Sequence, residues 1–214
     1  MKKFSYWYLL FLLPFIAGLT VALSGGFYDA EKAVFDALRV LAPSANIPFM
    51  VLTELGSAVG VICVTVLIVI ISAMKKRFFD FGLPVAITVI ISRIVNITIK
   101  EIIGRERPDF KTLAASEASF PSGHSQNNMA LYIAILLVAL LIVALPKWRI
   151  TLKITLIALP IIIGITRIYF GVHYISDVVA GWGLGVLVAV VCHCVYFYFY
   201  KKILAKREHT NAQG

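Results

Sequence analysis

The chain has 214 residues, of which 60% are hydrophobic and 14% charged, with a formal net charge of +9. Soluble domains carry about 25% charged residues, and here the apolar residues come in runs rather than stripes. That excludes a soluble globular domain, and it assigns the positive charge to a membrane surface rather than to nucleic acid.

A spanning helix needs about 20 mostly apolar residues, and six runs qualify. The chain therefore reads as all-α, a six-transmembrane-helix bundle in one integral-membrane domain over residues 1–214. Lys2 and Lys3 precede the first run, Trp7 to Leu23. Ala22-Leu23-Ser24 loosely fits a signal-peptide cleavage site, but the run is long for that role and is read as a retained helix. From Phe27 to Leu41, the residues Ala30, Val34, Leu38 and Leu41 recur at helical spacing among charged neighbours. This predicts a short amphipathic helix on the membrane surface after the first span, or a lid over a site.

The second span runs from about Ile47 to Met74, and Glu54 and Gly56 interrupt its start, which predicts a broken turn. The third runs from about Phe81 to Ile103. Arg93, Asn96 and Lys100 share one face of it, and charge inside a membrane is costly, so that face is expected to point into the bundle. A Glu54–Arg93 pair is one way to satisfy it. Residues 104–120 form the longest hydrophilic stretch between spans. The last three spans follow at about Gln126 to Leu145, Ile154 to Phe170 and Tyr174 to Tyr200. Trp148, Tyr196, Tyr198 and Tyr200 suit the interface.

Basic residues set the orientation. Lys75, Lys76, Arg77, Lys147, Arg149, Lys153, Lys201, Lys202, Lys206 and Arg207 fall on one side of a six-span arrangement, with Lys2 and Lys3. Positive charge inside makes that side cytoplasmic and places both termini there. The segments Lys100–Ser125 and Arg167–Asp177 then lie on the outer side, where they can converge on one cavity. Cys63, Cys192 and Cys194 all sit inside apolar runs, so a disulfide framework is not expected. Cys192-His193-Cys194 is not read as a metal cluster, because positions i and i+2 of a helix do not share a face.

The outer polar residues carry the chemistry. Lys100, Arg107 and Arg167 can surround a dianionic or pyrophosphate group, with arginine supplying bidentate contacts and lysine a point charge. Pro121-Ser122-Gly123-His124 opens the fourth span. Alone it is an ordinary turn into a capped helix, but the Ser122 hydroxyl and the N–H groups of Gly123 and His124 can also complete an oxyanion cradle. His173 and Asp177 stand at i and i+4, on one helical face. A carboxylate on one imidazole nitrogen leaves the other free to attack phosphorus, and His124 can then protonate the leaving oxygen and later activate water.

Lys100-x6-Arg107-Pro108, then Pro121-Ser122-Gly123-His124, then Thr166-Arg167-x5-His173-x3-Asp177 resembles the motif set of the type 2 phosphatidic acid phosphatase superfamily. The motifs cover residues 100–177, and the helix count extends the likeness to the small bacterial six-helix members. Thr166 stands where the family usually has Ser. The resemblance implies that His173 is the nucleophile, forming a phosphohistidine, that His124 is the general acid and that Asp177 is the orienting carboxylate. It implies phosphate binding by Lys100, Arg107, Ser122, Gly123 and Arg167, with no metal or other cofactor.

The expected activity is hydrolysis of a lipid phosphomonoester or pyrophosphate at the outer face of a bacterial plasma membrane. Undecaprenyl pyrophosphate is the first choice of substrate, with phosphatidylglycerophosphate and phosphatidic acid as alternatives. The expected partners are that lipid and the bilayer, with no nucleic acid and an oligomeric state left open. A lipid or anion transporter would use the same cations but would not need the His173–Asp177 spacing. A phosphotransferase would differ only in its acceptor.

Overall fold

The computed structural model describes residues 6–115, 118–140 and 146–211, and among them every regular element is helical. A 3-10 turn, Tyr6–Phe11, leads into α1, Leu12–Ser24. Gly25 ends α1 at φ 65°, a left-handed conformation that glycine adopts without strain. The chain then turns by 115° into α2, Tyr28–Leu41. The second predicted span is two helices, α3 at Asn46–Leu55 and α4 at Ala58–Met74, bent by 53°. The break falls at Gly56 and Ser57, where the sequence predicts it, and Ser57 caps α4 by accepting a hydrogen bond from Gly60 N.

A single π-turn, Phe78–Gly82, opens α5, Leu83–Ile103, which ends at Gly104 in the left-handed region. The remaining helices are α6, Gly123–Ala139, α7, Pro146–Tyr169, and α8, Ile175–Asn211. Helix α6 starts three residues before the expected Gln126, because Ser122 accepts a hydrogen bond from Ser125 N and caps it. The end of the predicted fourth span, residues 141–145, lies outside the described residues. Three helical stretches are long and apolar enough to cross a membrane, or up to five if each bent pair counts as one span.

Helix α6 is the centre of the bundle. It is buried on nearly every face, from Ser125 and Gln126 to Val138 and Ala139, so an apolar stripe would not reveal its environment. Its partner α8 approaches through Gly181 and Gly185. A Cβ on Gly185 would lie 2.5 Å from Gln126 O, and one on Gly181 would lie 2.9 Å from Ser122 O. Small residues four apart permit this backbone contact, and here they bring the start of α8 beside the start of α6, with Ser122 N donating to Asp177 O at 3.1 Å.

A buried polar ladder joins α5 to α6. Asn96 Nδ2 donates to Gln126 Oε1 at 2.8 Å, Gln126 Nε2 donates to Ser92 O at 2.9 Å, and Ser92 Oγ donates to Asn127 Oδ1 at 2.8 Å. Buried amides satisfied this way fix the register of two helices. The break after α3 is held by the same helix. Asn128 Nδ2 donates to Gly56 O at 2.7 Å, and a Cβ on Gly56 would meet Ile163 of α7 at 2.3 Å.

Two expectations are corrected. Glu54 and Arg93 form no ion pair among the described residues; both are exposed, and Asn96 and Lys100 are the members of their face that turn inward. On α2 the face that packs inward contains Glu31, Val34, Phe35 and Leu38, while Ala30 and Leu41 are exposed. A buried charge displaced the expected apolar stripe, for a reason that lies 74 residues further along, at Arg105. The Cys192-His193-Cys194 run does not cluster. Cys192 packs with Leu184 and Val188, and the His193 ring lies 4.7 Å from that of Phe197.

Candidate active site

One cavity of about 590 Å³ is lined by Lys100, Arg107, Gly123, His124, Arg167 and His173. The three separate sequence blocks thus meet in one place. Its remaining wall is mostly apolar and runs between α4 and α5, through Val61, Ile62, Ile90 and Ile94, with Arg93 and Asn127 as its polar members. Polar groups that converge at one end of an apolar cleft suit an amphiphilic ligand.

His173 sits in the turn before α8 and is 3% exposed. Its Nδ1 lies 3.4 Å from Asp177 Oδ2 and 3.3 Å from Ser119 Oγ. Its Nε2 lies 3.2 Å from Arg107 Nη1. Arginine is only a donor, so Nε2 carries the lone pair and Nδ1 the proton that faces the carboxylate. Burial, only partly offset by the Asp177 carboxylate, lowers the His173 pKa from 6.5 to about 4. The imidazole is therefore neutral at pH 7, with its lone pair on the cavity side.

Asp177 is fully buried and held from four directions. Its Oδ2 accepts from Tyr174 N at 3.0 Å and from Ser119 Oγ, as well as facing His173. Its Oδ1 accepts from Arg105 Nη1 at 2.6 Å. The Tyr174 contact is half of a capping box, in which an acidic side chain in the first turn reaches back to the N–H before the helix. The geometry of helix initiation thus aims the carboxylate at the ring.

The cations arrive from two helix ends and the loop between α5 and α6. Lys100, in the last turn of α5, is 7% exposed and donates to Ala118 O. Arg107 donates to Val172 O at 2.7 Å, which ties the loop after α5 to the turn before α8. Arg167, in the last turn of α7, donates from Nη1 to Thr53 Oγ1 at 2.6 Å. Its Nε is buried with no hydrogen-bond partner among the described residues. A buried charged donor left unmatched is costly, unless an anion in the cavity completes it.

Gly123 lies on the cavity wall, and a Cβ there would approach Asn96 Oδ1 to 3.1 Å. The Ser122 hydroxyl does not line the cavity. It is buried and accepts from Ser125 Oγ at 2.9 Å, so its visible role is to start α6. Thr166 is likewise buried, and its hydroxyl bonds back to Ile163 O at 2.7 Å. Sequence reasoning did not single out Ser119, Arg105, Glu31 or Thr53. Each acts through a partner between 58 and 114 residues away, and only Arg105 and Ser119 stood near recognised motifs.

These features define a class, a helical membrane protein that gathers two histidines and three cations around a space fit for a phosphate at the head of an apolar cleft. The PAP2 superfamily model matches residues 81–201, and the chain belongs to that superfamily. It is 34% identical over 163 residues to phosphatidylglycerophosphatase B of Bacillus subtilis, across 74% of this chain and 79% of that one. It is 29% identical over 196 residues to an undecaprenyl-diphosphatase of Sulfolobus acidocaldarius, across 86% and 88% of the two chains. The fold is similar to the crystal structure of a transmembrane PAP2-type phosphatidylglycerolphosphate phosphatase from Bacillus subtilis, with a TM-score of 0.79 at 28% identity, covering 93% of this chain and 98% of that one.

Proposed function

We propose that this protein is a metal-independent membrane phosphatase that hydrolyses a lipid phosphomonoester or pyrophosphate through a phosphohistidine. The observation that carries the reading is the His173 ring, with Nδ1 toward Asp177 and Nε2 toward the cations of the cavity. Lys100, Arg107, Arg167 and the amides of Gly123 and His124 bind the phosphoryl oxygens and stabilise the charge that develops on them. Nε2 of His173 attacks phosphorus as the bond to the leaving oxygen breaks, and His124 gives that oxygen its proton. His124 then takes a proton from water, the water oxygen attacks phosphorus, and the P–N bond breaks to release inorganic phosphate and restore neutral His173. The lipid chain leaves the site along the apolar wall between α4 and α5.

The six-span arrangement belongs to this reading. The bent pair α3 and α4 makes one span, α2 lies along the surface, and α6 is the fourth span. Both termini are cytoplasmic and the site faces outward. The Bacillus subtilis relative and the Bacillus subtilis crystal structure favour phosphatidylglycerophosphate as substrate. The Sulfolobus acidocaldarius relative supports undecaprenyl pyrophosphate, the first choice from sequence. Purified protein in detergent with chelator, offered both lipids and phosphatidic acid, should release phosphate from at least one. Release from none would replace the phosphatase by a transporter that uses the same cations.

A further inference from the structure

Glu31 is the one acidic residue of α2 that points inward, and it is 4% exposed on a helix that otherwise shows its charges to solvent. It does not line the cavity. Its Oε2 lies 2.7 Å from Arg105 Nη2, and its Oε1 accepts from Ser176 N at 3.1 Å and from Ser176 Oγ. Arg105 in turn reaches Asp177 Oδ1 at 2.6 Å and Ser176 Oγ at 2.7 Å through its other terminal nitrogen. Its guanidinium stacks 4.0 Å from the Tyr174 ring centroid. Glu31, Arg105 and Asp177 form a row of alternating charge that ends at the carboxylate facing His173.

We infer that Glu31 is a positioning residue for phosphoryl transfer, acting through Arg105 to hold Asp177 against His173 and making α2 part of the catalytic apparatus. The inference rests on the phosphohistidine reading above. The physical reason lies in how one guanidinium serves two carboxylates. Arginine presents a rigid fork, and with Glu31 on one tine its positive charge is shared. Asp177 then keeps enough negative charge to support the ring as it becomes cationic. Without Glu31, Arg105 neutralises Asp177 alone and can turn toward it.

The rest of α2 keeps the row in register. Tyr28 OH donates to Asp109 Oδ1 at 2.7 Å, and the Phe110 ring sits 4.8 Å from Phe35 and 6.1 Å from Tyr174. A Cβ on Gly171, at φ 63°, would lie 2.9 Å from Phe110 O. The loop that carries Arg105 and Arg107 is thereby clamped between α2 and the turn that carries His173.

The test compares wild type, Glu31→Gln, Arg105→Lys and the double variant in detergent, using the lipid phosphate that wild type hydrolyses best. Circular dichroism and gel filtration report folding. Glu31→Gln is expected to lower kcat by about 10- to 100-fold, by analogy with partners that orient metal-bound histidines from behind, with KM unchanged because Glu31 does not line the cavity. Arg105→Lys keeps the charge but loses the fork and should lower kcat similarly. Glu31 also holds Ser176, so the double variant separates the two routes: with Arg105 as the route to Asp177 it should be no slower than Arg105→Lys. Wild-type kcat in folded Glu31→Gln, a loss confined to KM, or multiplying losses in the double variant would overturn the inference. If Glu31→Gln does not fold, wild-type kcat in Arg105→Lys does so instead. A wild type that releases no phosphate from any lipid would sink the phosphatase reading itself.

Discussion

Replacing Asp177 with asparagine separates the carboxylate's charge from its shape. The two oxygens have different neighbours, so the amide cannot satisfy both sides. With its NH2 group at Oδ2 it would face Tyr174 N–H, and with the NH2 at Oδ1 it would face Arg105 Nη1. The second orientation leaves a carbonyl for His173 but loses the Arg105 ion pair and all the negative charge. At the observed 3.4 Å from His173 Nδ1, a unit charge stabilises a cationic ring by about 5 kcal/mol at an effective dielectric of about 20. Arg105 already offsets part of this, so about half is a lower bound. Since each 1.4 kcal/mol is about tenfold in rate, kcat should fall by roughly 10²- to 10⁴-fold. KM should change little, because Asp177 does not line the cavity. Initial rates of phosphate release across a lipid concentration series give both constants. A kcat within about tenfold of wild type, or a loss carried by KM alone, would refute the assignment of Asp177 as the group that supports the ring.

Ser119→Ala removes a buried hydroxyl that donates to the same carboxylate; losing a hydrogen bond to a charged group costs about 1.5–3 kcal/mol of stability, so thermal unfolding should come earlier, and kcat should drop by up to about 100-fold as the carboxylate is freed to move from the ring. His124→Gln should lose far more kcat/KM, which reports the steps up to leaving-group departure, on a lipid alkyl phosphate than on p-nitrophenyl phosphate, whose leaving group needs no proton; equal losses in kcat/KM would remove the acid role. Because burial holds His173 down to about 4, the acid limb of kcat/KM that reports this ring should lie near pH 4 rather than near 6.5. Its folded-state pKa is below the unfolded value, so stability is lost as pH falls from about 6.5 toward 4, and chemical denaturation across that range checks the sign. Lys111→Cys, in a variant whose Cys63, Cys192 and Cys194 are alanine, should react with an impermeant thiol reagent on intact cells; protection there with labelling in inverted vesicles would reverse the proposed orientation.

How much of this was legible in the sequence depends on where each residue's partner lies. Lys100, Arg107, His124, Arg167 and His173 announce their chemistry by type and short spacing, and all of them reach the cavity. Gly56 and Glu54 marked the break between α3 and α4 because they interrupt an apolar run. The purpose of that break was not legible. It brings Thr53 to Arg167, a contact across 114 residues. Glu31 was hidden for the opposite reason, because an acidic residue on an amphipathic helix looks like part of a solvated face. Only the folded loop, which carries Arg105 to it, turns that face inward. Ser122 was legible as a helix start and as a phosphate ligand, and its hydroxyl is directed to the first of these. The Gly181-x3-Gly185 spacing was not read as a close-packing motif, because its target, the backbone of Ser122 and Gln126, is defined only by α6.

That close packing explains why the chemistry sits where it does. The glycines let α8 approach until Ser122 N bonds Asp177 O, so the first turns of α6 and α8 lie side by side. Unpaired N–H groups at helix starts carry partial positive charge, and α6 presents Gly123 and His124 to the cavity from such a start. Lys100 and Arg167 come from the last turns of α5 and α7, where the helix dipole favours a cation and offsets part of the cost of burying it. Helix starts that favour an anion and helix ends that favour cations thus meet at one point. A phosphate placed there interacts favourably with both. A bulkier residue at Gly181 or Gly185 would push the two starts apart and weaken the field without replacing any residue that lines the cavity.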